Sequence, residues 1–148
     1  MPKGQPKTFK DIVAAVKTPK IVVSKESCYP HRPAWRIGLM EMVDPYGWHQ
    51  IEGDKIREIR AQLAGIEGNT WKELLVRDAK HNHFVAVEKI CAEAQERLRM
   101  LHLDDTDSLL VMRVGHVERI WGILELNVLK VLWWDPEHVI YLMNVTDN

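Results

Sequence analysis

The chain has 148 residues, 46% hydrophobic and 28% charged, which describes one globular domain with a single apolar core. No run approaches the roughly 18 apolar residues of a membrane span, and the start lacks a secretory signal, so a cytoplasmic protein with no membrane partner is expected. Cys28 and Cys91, far apart and without CxxC spacing, exclude a disulfide framework or zinc ribbon, and no cofactor is expected.

The formal net charge of −1 is unevenly spread. Residues 1–32 hold seven Lys or Arg against Asp11 and Glu26, a balance of +5, which leaves −6 for residues 33–148. The expected organisation is a basic arm over 1–32 carrying a short helix, followed by one α+β domain over 33–148. Thr8 and Asp11 have the types of a capping box. Phe9, Ile12, Val13 and Val16 then share one helical face before Pro19, a face for docking on the core or for a partner. Ile21–Val23 is a short strand, and Cys28–Pro33 a proline-punctuated loop.

Trp35 to Val43 is predicted as a strand with Trp35, Ile37, Leu39, Glu41 and Val43 on one face. Asp44-Pro45-Tyr46-Gly47 has the residue types of a type I turn, which predicts a hairpin into Trp48–Ile51. Asp54 caps a helix whose apolar stripe is Ile56, Ile59, Leu63 and Ile66, with Arg57 and Arg60 on the other face and Gly68 as the stop. Asn69-Thr70 caps a second, short helix with Trp71, Leu74 and Leu75 inward. A helix-turn-helix has the same outline, but Glu73 and Asp78 lie among the few cations the second helix would offer to DNA.

His81-Asn82-His83 puts two imidazoles on one side of a strand, and a metal site there needs Glu88, His102 or His116 as a further ligand; no metal is assigned. Phe84–Val87 continues as a strand. Glu88–Leu101 is predicted as a helix whose stripe is Val87, Ile90, Cys91, Ala94, Leu98 and Leu101. Asp104, Asp105 and Asp107 are turn residues.

Ser108 to Tyr141 holds short runs of β-branched, aromatic and leucine residues broken at Gly115, Asn127 and Asp135-Pro136, the pattern of a β-meander. Alternation puts Leu110, Met112 and Val114 on one face and Leu109, Val111 and Arg113 on the other. In the third strand, Leu129, Val131 and Trp133 alternate with Val128, Lys130, Leu132 and Trp134, so it is central, with helix over one side. The fold class expected is α+β, a small mixed or antiparallel sheet with a C-terminal meander packed against several helices. Arg113, Arg119, Lys130, His138 and Tyr141 are the polar groups such a sheet can gather. Guanidinium forks suit phosphate, and imidazole and phenol exchange protons.

The succession Met-Arg-Val-Gly, Arg-Ile-Trp-Gly-Ile, Leu-Lys-Val-Leu and His-Val-Ile-Tyr in this stretch resembles the C-terminal meander of the RelE/ParE toxin superfamily. The resemblance covers about a third of the chain. It implies a toxin of a toxin–antitoxin pair, an endoribonuclease that cuts mRNA on the ribosome without a metal, with an antitoxin as partner. On that footing Arg113, Arg119, His138 and Tyr141 are the catalytic positions, and Arg57, Arg60 and Lys130 are RNA contacts. The acidic balance of residues 33–148 supports a different class, a non-enzymatic phage or mobile-element protein that binds a protein partner through the same sheet.

Overall fold

The computed structural model describes residues 25–142; the expected helix at Phe9–Val16 and strand at Ile21–Val23 lie outside the described residues. Five strands form one mixed sheet: β1 (Ala34–Arg36), β2 (Asn82–Ala86), β3 (Ser108–Arg113), β4 (Arg119–Glu125) and β5 (Val128–Asp135), in the order β1-β5-β4-β3-β2. Strands β2 to β5 are an antiparallel meander, and β1 pairs parallel with β5 through Ala34–Val128 to Arg36–Lys130. The class is α+β, as the sequence implies. Among the described residues no helix is long and apolar enough to cross a membrane.

Helix covers both faces of the sheet, where one was expected. Helix α1 (Lys55–Glu67) and the π-helical turn Glu73–Arg77 pack Ile59, Trp71 and Leu74 against Leu110, Met112, Ile120, Leu129 and Val131. Helix α2 (Ala92–Met100) packs Ala94 and Leu98 against Leu109, Val111, Trp121 and Trp133 on the opposite face. The predicted alternation of β3 is therefore met. Trp71 is fully buried and donates from Nε1 to the Asn127 carbonyl at 2.9 Å, which fixes the turn before β5. Thr70 and Glu73 form a reciprocal capping box: Glu73 N donates to Thr70 Oγ1 and Thr70 N to Glu73 Oε1 at 2.8 Å. Part of the segment assigned to the arm belongs to the body, since Cys28 is in the core and Trp71 N donates to the His31 carbonyl.

Three expectations change. In β5, Trp133 and Trp134 exchange faces, because the β4–β5 pairing steps from Trp121–Trp133 to Gly122–Val131 and leaves Leu132 as a bulge. A Cβ at Gly122 would stand 2.5 Å from the Lys130 carbonyl oxygen, so the close approach there requires glycine. The strand predicted over Trp35–Val43 stops at Arg36. The chain turns at Ile37–Met40 and rejoins the edge of β5 where Glu41 N donates to Leu132 O and Trp134 N to Tyr46 O, both at 3.0 Å. Glu41 then turns inward, which extended alternation with the exposed Ile37 and Val43 would forbid. The Asp44–Pro45 peptide is cis, and Trp48–Gln50 is a 3-10 turn in place of the predicted hairpin. Finally, the helix predicted over Glu88–Leu101 is divided. A 3-10 turn at Val87–Lys89 precedes Cys91, whose N–H donates to Ile140 O at 2.8 Å, and α2 begins at Ala92.

Candidate active site

The site lies on the α2 face, at the end of the sheet where β3 turns into β4. Antiparallel register places Arg113 opposite Arg119, and Arg119 opposite Asp135, so three ionisable residues stand in one cross-strand row. Both arginines also brace the β3–β4 loop. Arg113 Nε donates to the Gly115 carbonyl at 3.0 Å, and Arg119 Nη1 to the Val117 carbonyl at 2.7 Å. Among the described residues no acceptor meets Arg119 Nε or Nη2.

Asp135 is 1% exposed, and its carboxylate accepts from Trp121 Nε1 at 3.1 Å, Val139 N at 2.9 Å and Ile140 N at 3.2 Å. These bonds fold the chain after β5 back over the sheet end. His138, in that loop, has a left-handed backbone with φ +57°, a conformation that His adopts more readily than most non-glycine residues. From β2, His83 stands opposite Val111 on the same face. Beside it opens a pocket of about 620 Å³ walled by residues that include His83, Phe84, Tyr141, Lys80 and Lys89.

The two imidazoles and Arg119 lie within one electrostatic field. Burial lowers the His138 pKa below its ordinary value, Arg119 and His83 lower it further, and Asp135 opposes them. Burial, then the Arg119 charge, lowers His83 in the same direction. Both rings are therefore mainly neutral at pH 7. The Arg119 pKa is itself lowered, by burial first and then by Arg113, while the Asp135 and Glu118 carboxylates oppose the shift, so two like charges share a partly desolvated end of the sheet with carboxylates nearby. A cluster of this kind favours an anion, and its neutral imidazoles can accept or pass protons.

Of the residues singled out from sequence, Arg113, Arg119 and His138 are brought together, and Tyr141 joins them through the pocket shared with His83. The other three are not. Lys130 stands across from Ile123 toward the opposite end of the sheet and pairs with Glu125 at 2.9 Å. Arg57 pairs with Asp54 at 3.6 Å, and Arg60 borders a groove, both on α1 over the other face. Lys80 and Asp135 are members that the sequence did not mark for this site, and His83 was marked only as a metal-ligand candidate. For His83 the available signal was its period-2 spacing from Val85, which faces the core. Among the described residues no group of three His, Cys, Asp or Glu could hold a metal ion, so His81 and His83 gain no ligand from Glu88, His102 or His116.

Compared with models of protein families, with curated proteins and with solved structures, the chain has no match.

Proposed function

We propose that the chain is a metal-independent endoribonuclease acting on mRNA in the manner of RelE-like toxins, at the surface of His83, Arg113, Arg119, His138 and Tyr141. The observation that carries this reading is the meeting of two imidazoles, His83 and His138, with the Arg119 guanidinium in one electrostatic field, with Arg113 across the strand pair from Arg119. RNA supplies its own nucleophile. One neutral imidazole takes the proton of a ribose 2′-hydroxyl as its oxygen attacks the adjacent phosphorus. The P–O5′ bond breaks, and the leaving 5′-oxygen takes a proton from the other, protonated imidazole or from the Tyr141 hydroxyl. A 2′,3′-cyclic phosphate and a free 5′-hydroxyl result. Arg119 and Arg113 hold the phosphate and offset the charge gained in the transition state. Lys80 and Lys89 offer positive charge to the flanking backbone.

The test is induction of the full chain in cells, with growth and message integrity followed alongside Arg119→Ala and His138→Ala. Arrested growth with fragmented message in the wild type alone is expected. Normal growth with intact message sinks the reading.

The acidic remainder of the chain favours a second reading, a non-enzymatic protein that binds a partner through the same sheet. Residues 33–148 sum to −6, and that net negative charge opposes binding of a polyanion. Under that reading a partner co-purifies from the native host, and His83→Ala with His138→Ala leaves no RNA phenotype to lose.

A further inference from the structure

The carboxylate that ends β5 has no part in the proton transfers, yet the loop carrying two of their candidates is built on it. Asp135 is 1% exposed and stands opposite Arg119 in the β4–β5 register. Three N–H groups converge on it: Trp121 Nε1 at 3.1 Å and Ile140 N at 3.2 Å on Oδ2, and Val139 N at 2.9 Å on Oδ1. Both oxygens are thus met by donors, as a buried carboxylate requires. The two backbone donors lie between His138 and Tyr141 in the chain. Ile140 is gripped from its other side too, because its side chain is fully buried and its carbonyl accepts from Cys91 N at 2.8 Å. Val139 and Ile140 are therefore pinned to the end of β5 and to the residue before α2. His138, next to the pin, has φ +57°, and a non-glycine residue keeps a left-handed backbone where its surroundings fix it.

We infer that Asp135 is the positioning residue of the site: through the Val139 and Ile140 amides it fixes where His138 and Tyr141 stand relative to Arg119. The inference rests on the RNA-cleaving reading for its place in a reaction, but the hold of Asp135 on the loop is measurable without RNA. A proton-transfer group acts only within hydrogen-bond reach of its proton, and a displacement of about 1 Å costs about 10²-fold in rate. Asp135→Asn keeps the shape of the side chain and removes the fit. A carboxamide has one acceptor oxygen, so its NH2 group must face at least one of the three N–H donors. Val139→Pro, at an exposed position, deletes one of those donors and leaves the buried carboxylate in place.

The test compares the full-length chain with Asp135→Asn and Val139→Pro, all normalised to folded protein. In the wild type the Val139 and Ile140 amides should exchange with deuterium as slowly as those of β5, and in Asp135→Asn many-fold faster. RNA cleavage by either variant should lose about 10²-fold in kcat with KM near wild type, since Arg113 and Arg119 still hold the phosphate. The His138 ring is faced by Arg119 from β4, His83 from β2 and Asp135 from β5, and burial is the largest influence on it. Release of the loop returns the ring to solvent, so its NMR titration midpoint should rise toward 6.5. Loss of the Asp135 charge beside an unmoved loop would instead lower it. Wild-type Val139 and Ile140 amides that exchange freely would overturn the inference. So would folded variants with unchanged kcat, or a His138 midpoint in Asp135→Asn that falls or stays. A wild type that cleaves no RNA would sink the RNA reading alone, and amide exchange and the His138 midpoint would still decide for or against the hold of Asp135 on the loop.

Discussion

The two faces of the sheet are held by different means. Beneath α1 the contacts are apolar and follow an unbroken alternation through Leu110, Met112, Ile120, Leu129 and Val131. Beneath α2 the apolar packing is edged by two buried carboxylates. Glu41 accepts from Trp133 Nε1 at 2.9 Å and from the Arg97 guanidinium, and Asp135 accepts from Trp121 Nε1 and the backbone at Val139 and Ile140. Area is non-directional, so the α1 face specifies a layer and tolerates an open groove. Hydrogen bonds to buried carboxylates are directional, so the α2 face specifies the course of its loops. The proton-transfer candidates stand on the face whose loops are fixed.

The widest separation of the two faces is expected in catalysis. On the proposed function, replacing His83 or His138 with Ala removes a proton-transfer group and should lower RNA cleavage by roughly 10²- to 10⁴-fold. Ile59→Ala, on α1, should lower the unfolding free energy and leave the cleavage rate per folded molecule unchanged. Rates normalised to folded protein from denaturant titration make the comparison. Equal losses in both variants would mean that activity follows overall stability and that the α2 face has no special part.

In stability the contrast takes another form. Glu41→Ala leaves Arg97 without its anion and Trp133 Nε1 without an acceptor, and should cost about 3 kcal/mol. The double replacement Glu41→Leu with Arg97→Met removes both charges and should recover much of that loss. Leu129→Ala, on the α1 face, should cost about 3 kcal/mol by leaving a cavity, and no polar second change should rescue it. A double mutant no better than Glu41→Ala would show that the carboxylate serves by volume alone.

A smaller effect separates the faces in pH. Both imidazoles have folded-state pKa values below the ordinary histidine value of about 6.5, so between those values the folded state binds fewer protons than the unfolded one. Their contribution is therefore complete above about pH 6.5 and is lost as pH falls through the folded values. Urea midpoints measured from pH 7.5 down to 5 should drop, and His83→Gln with His138→Gln should flatten that slope. The cleavage optimum should lie on the acid side of pH 6.5, since one imidazole must be neutral and its partner protonated. Because Arg119 lowers both rings, any residual activity of Arg119→Ala should peak at higher pH.

The same contrast explains what could be read from the sequence. Alternation in β3 and the Ile59, Leu63 and Ile66 part of the α1 stripe report burial on one side, a local property of spacing, and were legible, whereas Ile56, expected in the same stripe, is exposed in the first turn. The polar ties of the α2 face were not, because Glu41 and Arg97 are joined only by the tertiary fold, and Asp135 has the composition of a turn residue. Gly122 was the available warning of the bulge in β5. A lone glycine within an apolar run often marks close backbone approach, and reading it so would have exchanged Trp133 and Trp134 correctly. Arg113, Arg119 and His138 come near one another because two lie at the end of alternating strands and the third follows the turn that closes the meander. Arg57, Arg60 and Lys130 were grouped with them by residue type, which carries no information about face.

That last distinction gives the smallest and most exacting prediction. Lys130→Ala removes a side chain already engaged with Glu125, and Arg57→Ala one engaged with Asp54, both away from the Arg119 row. Surface pairs of this kind, with Lys130 half-buried and Arg57 exposed, contribute about 0–1 kcal/mol. Each variant should keep its urea midpoint nearly unchanged and cleave RNA within about twofold of wild type. Lys80→Ala and Lys89→Ala, beside His83, should instead weaken RNA binding at low salt and lose that difference as salt rises. A large loss from Lys130→Ala or Arg57→Ala would mean that RNA runs along the far end of the sheet or over α1. The cationic row at Arg119 would then be only one part of a track crossing both faces.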